Sequence, residues 1–363
     1  MYLKKIKLEN FRNYKKQEIE FINGINLFLG NNAQGKTNII ESVYVCAFGK
    51  SYRTIKDEEL IKFEEEFTRI KLEYIKNNTE SETEIVVDNN NKKQIKNNGV
   101  KIKKIADYVG EIPIVMFSPE SLDIVKGSPS KRRNFLDMIC CQLSKSYIIS
   151  LQEYAKCLKM KNNTLKNDYI DETYISILHE KMSIYIKEIV GLRKFVVEKL
   201  LEKSETIEKQ ITDFKENIEL IYRTDFLEME IEEIRKYLDE HLYVDKLRKS
   251  SVKGIQKDDI DIYINEKDVS KYGSQGQKRT ALLTLKLANF ELLKEEKDED
   301  PILLLDDIMS ELDSERIHFL LEYIQNYQSI ITTTEDTFIR DIENIKISKV
   351  SNGTLEIWYW IVI

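Results

Sequence analysis

The sequence predicts an α/β protein: a mixed sheet with helices assembled from the two ends of the chain, an antiparallel β subdomain beside it, and an inserted α-helical lobe. Three observations predict it. Near the N-terminus the apolar run "INLFLG" enters a glycine-containing loop and then the apolar stretch "NIIESVYVCAF". Near the C-terminus the buried-looking strand "PILLLDD" is followed by a helical stretch and a second apolar strand, "YQSIITTT", an order that implies parallel strands. Between them, residues 130–253 contain no proline and only one glycine, Gly191, as a long helical insertion requires.

The elements follow in order. Apolar residues alternate in "YLKKIKLENF" and again in "IEFINGINLFLG", with Gly24 punctuating a turn, which reads as strand, turn and strand. Alternation returns in "TRIKLEYI" and "TEIVVDNNNKKQIKNNGVKI", predicting antiparallel strands around a polar turn at 88–99. After Pro129, "YIKEIVGLRKFVVEKLLEKSETIEKQI" repeats apolar residues at threes and fours, so the helices pack as a bundle or short arm without sustained heptads. The segment 258–272 alternates once more in "DIDIYINEKDV". A helix then begins near Gly276, with Ala281, Leu285, Ala288 and Leu292 along one stripe. The C-terminal "EIWYWIVI" is unusually apolar for a tail, and its pattern leaves open whether it closes a sheet. The expected organisation is 1–129 and 254–363 as the two parts of one αβ domain, with 130–253 as the helical lobe.

With 363 residues, 42% of them hydrophobic, the chain can build a large core and about two domains. It contains no run of about 18 apolar residues, and "MYLKKIKLEN" lacks the apolar stretch of a signal peptide. A cytoplasmic protein is expected. Cys46, Cys140, Cys141 and Cys157 have no CxxC spacing, and His179, His241 and His318 lie far apart, so neither zinc nor disulfides are expected. A net charge of −7 argues against wholesale coating of polyanions but leaves room for local basic patches.

"GNNAQGKT", Gly30 to Thr37, matches G-x-x-x-x-G-K-[ST] in the strand-to-helix context that gives the motif meaning. Glycines let backbone N–H groups close around phosphates, the helix start adds a positive field, Lys36 neutralises phosphate oxygens, and Thr37 offers a hydroxyl to magnesium. The strand "ILLL" ends in Asp306 and Asp307. Alone this is as readily a solvated helix cap; beside a phosphate loop it suits a nucleotide hydrolase, with Asp306 on magnesium and Asp307 on the attacking water. The loop "GSQGQ" opens a helix and exposes Ser274 and Gly276 at a positive helix end. It is either an ordinary Ser-capped helix or a second phosphate cradle. The second alternative places it over a nucleotide held by another subunit, in a symmetric ATP-sandwiched dimer.

The order of these motifs resembles the signature, Walker B and D-loop order of ABC-type ATPases of the SMC group. Within that group, "LENFRNY", "GNNAQGKTNIIES", "GKSYRT", "MFSPESLDIVKGSPSKRRNFLD", "GSQGQKRTALLTLKLANFELL" and "LLLDDIMSELD" are similar to the RecF family over nearly the whole chain. The resemblance implies an ABC-type P-loop ATPase head with an α-helical second lobe, ATP-dependent homodimerisation, and binding of gapped or single-strand/duplex junction DNA. It further implies action with RecO and RecR in loading RecA, with no membrane role. Carried over by position, Gly30, Asn31, Asn32, Ala33, Gln34, Gly35, Lys36, Thr37 and Asn38 bind ATP, with Arg12 approaching the nucleotide. Thr37 and Asp306 bind magnesium, and Asp307 stands where related ATPases have a catalytic glutamate. Ser274, Gln275, Gly276 and Gln277 act in trans, and Ser310, Glu311, Leu312 and Asp313 form the D-loop.

The chain also departs from the family pattern. "GIQKDD", Gly254 to Asp259, keeps only the glycine and both aspartates of a block preceding the signature. No histidine follows "SIITTT", so Thr332 to Thr334 would serve as the polar sensor, and no Q-loop glutamine is identified, "FSPES", Phe117 to Ser121, being the nearest family block. Basic clusters at Lys92–Lys104, Lys126–Arg133 and Lys246–Lys257 are candidate DNA contacts, with Lys131, Arg132 and Arg133 favoured. A transporter nucleotide-binding subunit is disfavoured by the helical insertion and the "FRNY" block. Another short SMC-like ATPase of genome maintenance and an ATP-gated clamp with vestigial hydrolysis are the remaining alternatives. A weak, DNA-stimulated ATPase in which slow hydrolysis serves as a timer is the expectation.

Overall fold

The computed structural model describes residues 1–90, 92–213, 215–335 and 344–361, with side chains as far as Glu356 in the last strand. Contacts divide the chain into two compact units, Met1–Leu122 with Asn289–Ile363, and Asp123–Ala288.

The first unit holds two six-stranded sheets. One is antiparallel, in the order Tyr14–Glu20, Tyr2–Phe11, Phe67–Lys76, Thr79–Asp88, Lys93–Asn97 and Val100–Lys101. Side chains alternate between its faces. Leu3, Ile6, Leu8, Ile70, Leu72 and Ile85 are buried. The opposite face is laced by cross-strand pairs such as Lys5–Glu18 at 2.6 Å and Lys7–Glu73 at 3.1 Å, the arrangement that stabilises antiparallel neighbours. The N-terminal pattern divides differently from the expected strand, turn and strand. Phe11 lies opposite Tyr14, so the chain already reverses at Arg12–Asn13, and positive φ angles of 51° and 52° at Asn10 and Arg12 accompany that tight reversal. Ile25–Leu29 is then a third strand.

The other sheet is the predicted αβ core. Its order is Thr354–Ile361, Ile345–Ser351, Ile25–Leu29, Ser329–Thr333, Ile302–Asp306 and Ile114–Phe117. All run parallel except the first, which pairs antiparallel with Ile345–Ser351. The apolar C-terminal segment is thus a closing strand as far as Ile361; Val362 and Ile363 lie outside the described residues. Every residue of Ile302–Asp306 and Ser329–Thr333 is buried, as continuous apolar runs demand in parallel strands covered on both faces. Parallel strands end on one edge of the sheet, where α/β proteins bind ligands, and Leu29, Asp306 and Thr333 all lie at that edge.

The second unit contains the helices Pro129–Leu143, Lys145–Thr164, Glu172–Ile211, Ile231–Glu240 and Leu242–Arg248. It also has a three-stranded antiparallel sheet of Lys267–Asp268, Asp259–Ile264 and Ile218–Arg223. The last strand corrects the all-helical expectation for 130–253. "IELIYR" alternates buried Ile218 and Leu220 with exposed Glu219 and pairs in register with "DIDIYI", a tertiary contact that overrides its lack of breakers. At the heart of this unit lies Arg193, 2% exposed. It donates to Asp258 at 2.7 Å, to Asp137 at 2.8 Å and to the Tyr147 hydroxyl at 3.0 Å, while Tyr222 donates to Asp258 at 2.5 Å. The divergent Gly254–Asp259 block therefore has a structural part: Asp258 neutralises a buried guanidinium. The long helix Gln275–Lys297 leads from the second unit back into the first. Among the described residues no helix is long and apolar enough to cross a membrane.

Candidate functional site

The loop Gly30–Gly35 links the strand Ile25–Leu29 to the helix Lys36–Phe48, and its glycines are required by contact. A Cβ on Gly30 would lie 2.4 Å from the Val350 carbonyl oxygen. Gly35 has φ +111°, and its Cβ would meet the Asn13 amide at 2.5 Å; only glycine adopts that conformation readily. Asn31, Asn32 and Ala33 are exposed, whereas Lys36 is buried and its ammonium donates to the carbonyls of Gly30 at 2.5 Å and Asn31 at 3.0 Å. Burial lowers the pKa of Lys36, with Asp307 and Asp306 pulling the other way. The hairpin reversal in "FRNY" braces the loop. Asn13 donates to the Gln34 carbonyl at 3.1 Å, Tyr14 to the Gly35 carbonyl at 3.1 Å, and Asn38 to the Asn13 side chain at 2.8 Å.

Asp306 closes the other side. Its Oδ1 accepts from the hydroxyls of Thr37 at 2.9 Å and Thr332 at 2.8 Å, and its Oδ2 from the Tyr52 hydroxyl at 2.9 Å. Asp307 sits in the left-handed region at φ 51°, which aspartate tolerates better than most residues. Its backbone N–H donates to the carbonyl and the hydroxyl of Thr332, each at 3.1 Å. Its Oδ1 is buried with no hydrogen-bond partner among the described residues, and burial raises its pKa against the pull of Lys36. A hydroxyl from the first helical turn against a strand-end carboxylate, beside a second carboxylate with an unsatisfied oxygen, is an oxygen-rich donor set suited to Mg²⁺.

Arg12 is held rather than free. Its guanidinium forms a fork on buried Glu41, at 2.9 and 2.6 Å, and donates to the Glu59 carbonyl at 2.6 Å. Glu41 also accepts from Ser51 at 2.5 Å and Arg53 at 3.3 Å, and Arg53 donates to Asn38 at 2.8 Å. The roles of Glu41, Ser51, Tyr52 and Arg53 escaped the sequence reading. The available signal is that Glu41 lies in the block "GNNAQGKTNIIES" and the other three in "GKSYRT". Of Thr332 to Thr334, expected as the polar sensor, Thr332 donates to Asp306 and accepts from the Asp307 N–H.

Within the first unit, Ser310 donates to the Asp307 carbonyl at 2.9 Å. Ile308–Glu311 forms a short 3₁₀ turn, and Asp313 caps the helix Ser314–Ile324 by accepting from the Arg316 N–H at 3.0 Å. In the second unit, Ser274 and Gln277 form a reciprocal cap. The Gln277 N–H donates to the Ser274 hydroxyl at 3.1 Å, and the Ser274 N–H to the Gln277 side chain at 2.9 Å. Ser274 thus caps its own helix, and Ser274 and Gln275 are exposed at the helix start.

The basic triplet favoured for DNA is mostly engaged inside its own unit. Arg132 grips Asp259 at 2.7 and 2.8 Å, and Arg133 donates to the Asp258 carbonyl at 2.8 Å. Lys131 is exposed, 3.4 Å from Asp123. Two consecutive arginines look like a phosphate clamp in sequence, but Asp259 takes the fork of Arg132 and the carbonyl of Asp258, just before the strand Asp259–Ile264, takes one N–H of Arg133.

The family pattern described as RecF/RecN/SMC N terminal domain matches residues 2–356. DNA replication and repair protein RecF of Clostridium perfringens (strain SM101 / Type A) is 39% identical over 98% of this chain and 100% of its own length. That of Clostridium novyi (strain NT) is 41% identical over 98% and 99%. A solved structure of the recombination mediator protein RecF with ATP in the RecFOR pathway superposes with a TM-score of 0.91 at 36% identity, covering 99% of this chain and 98% of that one. An Smc head bound to the C-winged helix domain of ScpA shares the fold at a TM-score of 0.60 and 17% identity, over 99% of this chain and 97% of that one. With this family pattern across residues 2–356 and these relatives matched over nearly their whole length, the chain belongs to the RecF family of DNA replication and repair proteins.

Proposed function

We propose that this chain is an ATP-dependent DNA-binding protein of recombinational gap repair and replication-fork maintenance, located in the cytoplasm, that binds gapped or single-strand/duplex junction DNA as a homodimer. The observation that carries the reading is the hydrogen bond from Thr37 to Asp306, which brings phosphate loop and acidic strand end to one point beside Lys36. Gly30 to Asn38 hold the ATP phosphates, Lys36 exchanging its loop carbonyls for phosphate oxygens, with Arg12 held nearby by Glu41. Thr37 and Asp306 hold Mg²⁺, which supplies charge neutralisation for phosphoryl transfer. Asp307 orients the attacking water. The exposed start of the helix Gln275–Lys297, at Ser274 to Gln277, covers the nucleotide of a second copy, and Ser310 to Asp313 line the same interface. Aspartate is shorter than glutamate at position 307, which favours slow hydrolysis acting as a timer. RecO- and RecR-like proteins use the dimer on DNA to help load RecA.

The test is binding of Asp307→Asn, expected to trap ATP, to gapped and to blunt duplex DNA, with and without ATP. ATP-dependent preference for the gap supports the reading. Absence of DNA binding under every condition overturns it and leaves a nucleotide-dependent dimer whose partner is a protein.

A further inference from the structure

The segment after the phosphate-loop helix is tied into the site at three consecutive residues. Ser51 and Arg53 both reach Glu41, on the helix Lys36–Phe48, and Arg53 also reaches Asn38. Tyr52, between them, donates to Asp306 Oδ2 from 254 positions away in the chain. Its ring meets Tyr44 edge-on at 5.1 Å, and Tyr44 packs on Phe48 at 4.5 Å, so the hydroxyl is aimed by packing against the helix that the phosphate loop opens. A phenol has one proton to give, and Tyr52 gives it to this carboxylate.

Asp306 therefore has both oxygens held from three directions: Thr37 and Thr332 on Oδ1, Tyr52 on Oδ2. The two threonine bonds share one oxygen and leave the carboxylate able to swing about it. The tyrosine bond on the other oxygen removes that freedom. A carboxylate has about four acceptor positions, so one remains on Oδ2 after these three bonds. Carboxylates that serve cations are commonly oriented by such outer hydrogen bonds, and removing one costs about 10- to 100-fold in metal affinity or activity.

We propose that Tyr52 is the positioning residue for the divalent cation at Asp306, fixing the carboxylate plane against the helix that follows the phosphate loop. This rests on the reading of Thr37 and Asp306 as cation-holding residues. It gives the "SYRT" segment a role in coupling magnesium to the nucleotide.

The test compares wild type, Tyr52→Phe and Lys36→Ala. ATP affinity is measured by titration calorimetry in EDTA and across a Mg²⁺ series, with melting temperature of the nucleotide-free proteins recorded in parallel. Tyr52→Phe keeps the ring. It is expected to lower the melting temperature only modestly, through loss of one hydrogen bond, to leave the EDTA affinity at the wild-type value, and to raise the Mg²⁺ concentration needed for half-maximal enhancement about tenfold. An unchanged or lowered Mg²⁺ requirement overturns the proposal, as does a loss of ATP affinity equal with and without Mg²⁺, which would mark a packing role alone. Failure of wild type to bind ATP at all would instead overturn the nucleotide reading on which the proposal stands, and Lys36→Ala shows what that failure looks like.

Discussion

Thr37 and Asp306, 269 positions apart in the chain, meet in a hydrogen bond of 2.9 Å. The contact joins the first turn of one helix to the end of a buried strand, and it exists because parallel neighbours in the αβ sheet deliver their carboxyl ends to one edge. Lys36, one residue before Thr37, points its ammonium back onto the loop carbonyls.

Lys36→Ala is accordingly expected to lose ATP binding. A charge-assisted hydrogen bond contributes about 1.5–3 kcal/mol, so affinity should fall at least about tenfold in titration calorimetry. Wild-type affinity in the variant would remove Lys36 from the site.

Ser274 has two parts to play, separable by substitution. Ser274→Ala deletes the hydroxyl that accepts from the Gln277 N–H and should cost about 1 kcal/mol in urea unfolding. It should still dimerise with ATP. Ser274→Arg loses the same cap but adds bulk and charge to the exposed helix start. It should bind ATP yet remain monomeric in sedimentation velocity, and an ATP-dependent dimer would defeat the trans-sandwich reading.

Arg132 and Lys131 should behave oppositely on DNA. Because Arg132 is bound on Asp259, Arg132→Ala is expected to lower stability without changing the salt dependence of DNA binding. Exposed Lys131 is the member of the triplet able to meet a phosphate, and Lys131→Ala should reduce the slope of log K against log salt by about one. The reverse pattern would return Arg132 to the DNA surface.

Arg193→Met should be severely destabilising, by about 3–5 kcal/mol, since it strands Asp258 as a buried carboxylate without its cation. Burial already raises the pKa of Asp258, and Arg193 opposes that rise. A carboxyl whose folded pKa lies above its unfolded value loses stability as pH rises through the folded pKa. The deficit of the variant relative to wild type should therefore narrow on acidification, as urea unfolding at a series of pH values will show.

His179 gives the opposite pH trend. Burial, reinforced by Lys161, lowers its pKa below the usual 6.5 against the pull of Asp239 and Asp245, and its Nε2 has no hydrogen-bond partner among the described residues. The unfolded chain takes up the proton first, so stability is full above about pH 6.5. It should fall with acidification by up to about 1.4 kcal/mol per pH unit, until the folded pKa is passed. His179→Gln should flatten melting temperature over that window; an unchanged slope would place the titrating group elsewhere.

The αβ core, the phosphate loop, the acidic strand end and a helix start near Gly276 are legible in the sequence. Each is written in contiguous residues whose chemistry is local. Gly35 declares a conformation closed to other residues, "ILLL" declares a strand covered on both faces, and the polar, glycine-containing loop at Ser274 declares a helix start. Which side chains meet across the chain is set by the fold in three dimensions. Nothing near Tyr52 announces Asp306, nothing near Glu41 announces Arg12, and "IELIYR" becomes a strand only because "DIDIYI" lies beside it. The arginines at 132 and 133 show the same limit from the other side. Their charge was legible, but whether it faces a phosphate or an internal acceptor depends on where Asp258 and Asp259 fold, and hydrogen-bond partners are set by distance in space rather than in sequence.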